Sequence, residues 1–386
     1  MIKVLKHGTV YAPEKLGVRD ILIAGDKILR VAEHIDEYDN LPDAQIIDLA
    51  GKIVVPGYID LHEHISGGGG EQGPGSRCPE MKLSELVRSG VTTVLGLLGT
   101  DGTTRSIENL LAKCKSLNEE GITSYMLTGA YGYPSNTLLG SVERDVMLIA
   151  ECVGVKVAVS VHRSSNPGAK ELANLATDAR RGGLLGGRAG ITVMHMGGGK
   201  AAMDPILQML DETDLPAKNL LPTHMGRTEK LMEQGREFIK RGGTIDITAG
   251  DTPEKTVKSA AKIAKLYREG VDFSKITSSS DGCGSMPRFD AAGNCIGLTY
   301  ASPLSLHRQI KALVNNEGLP LEDALRIMTV NPAEVLCKTG IKGCIAAGAD
   351  ADLLALDGEL DICDVFAMGK DAMRDGKILL KGKFED

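Results

Sequence analysis

The chain of 386 residues has no tryptophan, and aromatic residues make up only 3% of it. A surface that reads single-stranded nucleic acid by stacking therefore has few platforms to work with. Lysines and arginines are scattered and the net charge is −7. That leaves no basic stripe for a phosphate backbone or an anionic membrane. No apolar run approaches the ~20 residues of a membrane-spanning helix. The opening residues, MIKVLKHGTV, carry neither a long apolar core nor a small-residue cleavage site. The 8 cysteines form no CxxC pair. Several, such as Cys114, Cys152 and Cys363, lie inside apolar runs, as small buried thiols do in a reducing compartment. These absences lead us to expect a soluble, cytoplasmic protein with no nucleic-acid partner and no membrane partner.

The remaining composition supplies a large interior, with 42% hydrophobic residues. From residue 53 to about 340, short β-branched runs ending in Gly, His or Asp alternate with segments of helical period. Eight strands are predicted, at 54–64, 92–99, 124–131, 156–162, 191–197, 220–226, 244–250 and 276–282. Helical segments between them include TRSIENLLAKCKSLNEEG and PEKTVKSAAKIAKLYREG, each closed by a glycine. Eight strands with crossover helices predict an α/β fold of the (β/α)8 TIM-barrel type. An open doubly wound sheet is the second choice, because it would place its chemistry at one switch point rather than after many strands. Both ends of the chain read as short strands with turns. They predict a small β-sandwich-like domain from residues 1–54 and 344–386, with the barrel at 55–343.

The stretch DLHEHISGGGGEQGPG, residues 60–75, carries the first chemistry. His62 and His64 are two apart on a strand, so both face the same side. In a barrel of this type the active site lies at the C-terminal ends of the strands. There the sequence also places Tyr131, His195, His224 and Asp281, and Lys156 opens the fourth predicted strand. A lone histidine at a strand end is usually a hydrogen-bonded rim residue. Four histidines and an aspartate at one end of one barrel argue instead for Zn²⁺ or a related divalent ion. His7, His34 and His307 are read as surface or core residues, and His162 is given no role. The glycine run suits tight turns and close backbone approach. Arg163 and Arg227 follow the fourth and sixth strands, where they are placed to clamp carboxylates.

These residues resemble the amidohydrolase superfamily, and within it the isoaspartyl dipeptidase family. PGYIDLHEH and GADADLLALD match the superfamily. HISGGGGEQGPGSRCPE, TGAYGYP, LLPTHMGR, KRGGTIDITAG and SSSDGCGSMPRFD match the narrower family. The resemblance spans essentially the whole chain. It implies a metallo-dipeptidase that hydrolyses β-aspartyl dipeptides with a metal-bridging hydroxide as nucleophile. It implies two Zn²⁺ ions, one on His62, His64 and Asp281 and the other on His195 and His224. Lys156, carboxylated by CO₂ to a carbamate, spans both. Asp281 is then the proton shuttle and Tyr131 the stabiliser of the oxyanion. Glu71, Thr100, Arg163, Arg227 and Ser285 are the implied substrate contacts. A homo-oligomer, in this family an octamer, is implied as well. The alternative within the fold is a cyclic amidase of the dihydroorotase or hydantoinase type.

Overall fold

The computed structural model describes residues 2–289 and 295–385; Asp290, the last residue of SSSDGCGSMPRFD, lies outside them. Eight parallel strands run in chain order: β1 Tyr58–Glu63, β2 Val91–Gly96, β3 Thr123–Gly129, β4 Cys152–Val159, β5 Ile191–Met196, β6 Leu220–Thr223, β7 Ile245–Thr248 and β8 Ile276–Ser279. Strands β1 to β6 form one sheet and β7 pairs with β8. The backbone ladder is thus split, and other bonds complete the curl. Thr223 on β6 donates to Asp246 Oδ2 on β7 at 2.7 Å, and Thr277 and Ser279 on β8 donate to the same carboxylate at 2.9 and 2.6 Å. From the β8 end, Gly282 O accepts the His64 N–H at 2.9 Å and returns the chain to β1.

Two β-bulges set which side chains enter the curl. Ile59 and Leu61 join an inner apolar cluster with Leu95, Leu127, Val193 and Leu221. Strict alternation would then turn His62 away from it. However, Asp60 pairs with Val94 while Glu63 pairs with Gly96, so β1 holds one extra residue there. The bulge re-aims His62 and His64 together. In β4, Cys152 pairs with Met126 but Gly154 with Leu127, so Val153 is extra. Lys156 then sits in the body of β4, the fifth residue of Cys152–Val159, rather than at the start of a strand as the sequence suggested. Gly154 is needed at this place, because a Cβ there would meet Ile191 O at 2.0 Å.

The helices pack outside. Pro253–Arg268 begins at Thr252, whose hydroxyl accepts the Lys255 N–H, with proline in its first turn. It buries Thr256, Ser259, Ala260, Ile263 and Ala264 along one stripe, and leaves Lys255 and Lys258 exposed. Each large aliphatic side chain buried in this way contributes about 1.5–3 kcal/mol of transfer free energy.

Both chain ends meet in one nine-stranded mixed sheet. The strand Ile2–Tyr11 forks: residues 2–6 pair with Ala44–Asp48 and residues 9–10 with Ile53–Pro56. Leu353–Leu356 pairs antiparallel to Ile53–Pro56 and carries the C-terminal strands. Leu5, Val10, Ile23, Val54, Leu353 and Phe366 form its buried core. The predicted strand at 54–64 is therefore two strands, divided at Gly57. A Cβ on Gly57 would meet Thr92 Oγ1 at 2.2 Å. No helix among the described residues is long and apolar enough to cross a membrane.

Candidate active site

Four histidines converge at the C-terminal ends of the strands. His62 comes from β1 and His64 from just past it, His195 from β5, and His224 from just past β6. Their rings lie edge to face, with centroids 5.6 Å apart for His62 and His64, 4.8 Å for His62 and His224, and 4.3 Å for His195 and His224. Asp281 Oδ1 lies 3.1 Å from His64 Nε2 and 3.6 Å from His62 Nε2. His224 and Asp281 both hold left-handed backbone, with φ of 64° and 58°. Such φ values cost energy for residues other than glycine and cluster at functional loops.

Burial, first of all, holds His62, His195 and His224 well below the usual imidazole pKa, and the nearby Lys156 and Arg227 charges add to this. All three are neutral and have lone pairs to give. Nδ1 of His62, Nδ1 of His64 and Nε2 of His224 are buried with no hydrogen-bond partner. Unsatisfied buried imidazole nitrogens are costly unless something binds them. Two groups have their donor atoms within 4.8 Å of one another: His62 with His64 and Asp281, and His62 with His195 and His224. This donor set fits a divalent metal cofactor. His62 falls within reach of both groups, whereas the sequence placed it in one.

Lys156 is fully buried and its Nζ lies 2.9 Å from His62 Nε2. Desolvation lowers its pKa to about 7. Tyr131 stands two residues beyond β3, and its hydroxyl is 2.8 Å from His195 Nδ1. Burial pushes that hydroxyl far above its ordinary pKa, so it keeps its proton. Solvent reaches part of Arg227, yet its Nη1 reaches inward to His195 Nε2 and to Met196 O, both at 2.8 Å.

The glycine run forms the rim above this cluster. Gly67, Gly69 and Gly70 have φ of 80°, 79° and 101°. A Cβ at Gly67 would meet Cys78 O at 2.5 Å, and one at Gly69 would meet Ser76 O at 2.4 Å. The run gives up side chains because its backbone lies against other backbone. It delivers Glu71, whose Oε1 accepts from Arg163 Nη1 at 2.9 Å; the same Nη1 lies 3.2 Å from Thr100 Oγ1. The Arg163 guanidinium sits 5.5 Å over the Tyr131 ring. A cavity of about 50 Å³ touches Glu71, Thr100, Tyr131, Arg163, Arg227 and Ser285. His64, His195 and Asp281 line the same cavity, while His62, His224 and Lys156 stay within the histidine cluster beside it. His162 is exposed and His307 is buried far off, 3.1 Å from the Tyr58 hydroxyl. Cys114 and Cys152 are buried as expected, but Cys363 is only partly so.

Other residues escaped the sequence reading. Arg105 donates to the carbonyls of Ser66, Gly68 and Cys78 and staples the glycine run from beneath. Glu63, between the two histidines, accepts from Ser280 Oγ at 2.7 Å, and Asp60 accepts the Ser280 N–H. Burial raises the pKa of both carboxyls. Thr248 holds His224 Nδ1 at 2.5 Å. Asp60 and Glu63 carried a legible signal, as carboxylates inside the strand YIDLHE that leads into the histidine pair.

Comparison with known proteins agrees with this geometry. Curated dihydroorotases match a third of the chain. That of Macrococcus caseolyticus is 30% identical over 119 residues, 31% of this chain and 26% of its own length. The chain thus spans about a quarter of the curated relatives it matches. The β-aspartyl dipeptidase of Fervidobacterium islandicum, solved with a β-Asp-Leu dipeptide, is 43% identical with TM-score 0.90, covering 98% of each chain. Dihydropyrimidinase from Brevibacillus agri shares the fold at 16% identity and TM-score 0.66, covering 99% of this chain and 97% of its own. The amidohydrolase family model matches residues 53–383. With its fold, its histidine cluster and this match over most of its length, the chain belongs to the amidohydrolase family, in the group of the β-aspartyl dipeptidases.

Proposed function

We propose that the protein hydrolyses β-aspartyl dipeptides with two divalent ions, zinc by donor chemistry. The observation that carries this reading is the Glu71–Arg163 pair held on the glycine rim directly above a buried four-histidine cluster. The 43% identity to a β-aspartyl dipeptidase over 98% of the chain supports it. His62, His64 and Asp281 would hold one ion and His195 and His224 the other, with Lys156 as the shared ligand. When bound, the ions supply charge that polarises a carbonyl and acidifies water.

The residues of the chain do the rest. The Lys156 amine, which loses its proton near pH 7 because it is desolvated, attacks CO₂ in its neutral form and releases one proton to give a carbamate, which brings the negative charge the cluster needs. Asp281 takes a proton from the attacking water and returns it to the leaving amine. The protonated Tyr131 hydroxyl donates to the developing oxyanion. A β-aspartyl residue shows both its α-ammonium and its α-carboxylate. Glu71 takes the ammonium, and the guanidinium groups of Arg163 and Arg227 take carboxylates, with Thr100 and Ser285 beside them. The same reading divides the chain into 1–54 with 344–386, and 55–343, and makes it a cytoplasmic homo-oligomer, an octamer by resemblance.

A second reading, cyclic amide hydrolysis, is favoured by the dihydroorotase matches. Zinc-loaded protein given β-Asp-Leu, α-Asp-Leu and dihydroorotate decides between them. Cleavage of β-Asp-Leu alone is the expected result. Ring opening without dipeptide cleavage would replace the first reading with the second.

A further inference from the structure

A second, larger cavity of about 340 Å³ adjoins the site. It shares Arg227, Asp281 and Met286 with the smaller one that holds Glu71 and Arg163. Asp281 therefore stands at the seam between the two. Its far wall is the helix Pro253–Arg268, which turns Lys255, Lys258 and Lys262 towards the space at three- and four-residue intervals. Ile247 supplies an apolar patch to the same cavity.

These lysines are not alike. Lys255 is paired with Asp251 at 2.7 Å. Lys262 is half-buried, and its ammonium donates to Gly226 O, in the loop that follows His224. Among the described residues no carboxylate forms an ion pair with Lys258 or Lys262; Glu254 feels Lys258 only through space. Two cationic charges thus face a cavity on the side of Asp281 opposite the Glu71–Arg163 pair.

We propose that this cavity receives the residue released by cleavage, and that Lys258 and Lys262 make the enzyme prefer an acidic side chain there. The inference rests on the dipeptidase reading. The zwitterionic β-aspartyl half is fixed by Glu71 and Arg163, so the leaving residue extends past Asp281, the group that protonates its amine, and into the lysine-lined space. Its α-carboxylate is common to every dipeptide. A side-chain carboxylate is the added charge that the two ammonium groups, which have no ion-pair partner among the described residues, meet. Each such contact is partly solvated, so the effect is modest and falls with salt.

The test compares kcat/KM for β-Asp-Glu with that for its neutral isostere β-Asp-Gln, at low and high salt. The expected Glu/Gln ratio is about fivefold at low salt. It falls towards one in the double variant Lys258→Gln, Lys262→Gln, and is kept in the variant with arginine at both positions. A parent ratio of one, or a ratio that survives the glutamine variant, overturns the proposal. An equal fall for β-Asp-Leu, β-Asp-Gln and β-Asp-Glu in that variant also overturns it, by assigning the lysines to the α-carboxylate. Cleavage of β-Asp-Leu with no Glu preference removes only this subsite, whereas cleavage of no β-aspartyl dipeptide removes the dipeptidase reading with it.

Discussion

Two of the buried lysines, Lys342 and Lys156, live in opposite surroundings. Lys342, beside the terminal sheet, has its ammonium 2.6 Å from Asp352, 2.8 Å from Asp350 and 2.6 Å from Thr123 Oγ1. Burial alone would lower its pKa, but the two carboxylates outweigh this and hold it above the usual value. Lys156, in β4, has a histidine nitrogen as its hydrogen-bonding neighbour, and burial takes its pKa down to about 7. The same side chain is a permanent cation in one place and an amine that gives up its proton near pH 7 in the other. Burial is shared, so the partners make the difference. A paired lysine is a structural rivet, whereas an unpaired one is a nucleophile waiting for an electrophile.

The largest expected effect lies at Lys156. Lys156→Ala should lose bound metal and more than about 10³-fold in β-Asp-Leu turnover, since it removes the shared charge that offsets two dications. Added short carboxylic acids should restore part of both. Full metal occupancy in the variant, measured by elemental analysis, would reject the carbamate. Lys342→Met should do the reverse, leaving kcat of the folded protein intact while lowering stability in urea by about 3–5 kcal/mol, because Asp352 loses its counter-charge and Asp350 keeps only Lys27. By contrast, Lys156→Met should make the metal-free protein more stable, by about 1–4 kcal/mol. If both substitutions destabilise equally, the contrast between the two lysines fails.

The effect that is smallest per step measured is a pH slope. Between pH about 7 and 10.5 the unfolded chain keeps a proton on Lys156 that the folded, metal-free chain has released. Stability should therefore rise with pH across that window, by up to about 1.4 kcal/mol per pH unit. Lys342 contributes stability that is complete below the unfolded value of 10.5 and is lost at higher pH. Urea melts of metal-free parent and Lys156→Met protein between pH 7 and 10 should show the rising slope in the parent only.

Much of the site was legible because its residues follow the ends of strands, and strand ends are marked by β-branched runs stopping at Gly, His or Asp. His62, His64, His195, His224 and Asp281 were found in that way. Arg105 was not, because a lone arginine in TDGTTRS looks like any solvated loop residue, and its three carbonyl partners come from two distant segments. Asp246 was missed for a related reason. Its carboxylate binds Thr223, Thr277 and Ser279 across three strands, which no local pattern announces.

The sequence by itself determined the order of strands and helices, the family, and which residue types meet at the C-terminal ends of the strands. Periodicity, glycine stops and the spacing of two histidines are local properties, and local properties survive in one dimension. Only the tertiary structure decided where side chains point and what surrounds them. Two bulges, at 60–63 and 152–154, turned His62 and Lys156 inward. The pairing that keeps Lys342 a cation depends on how the fold seats Asp350 and Asp352 against its ammonium, while it sets a histidine nitrogen against Lys156. Electrostatic free energy is set by distance and solvent in three dimensions, and neither is written in a residue's neighbours along the chain.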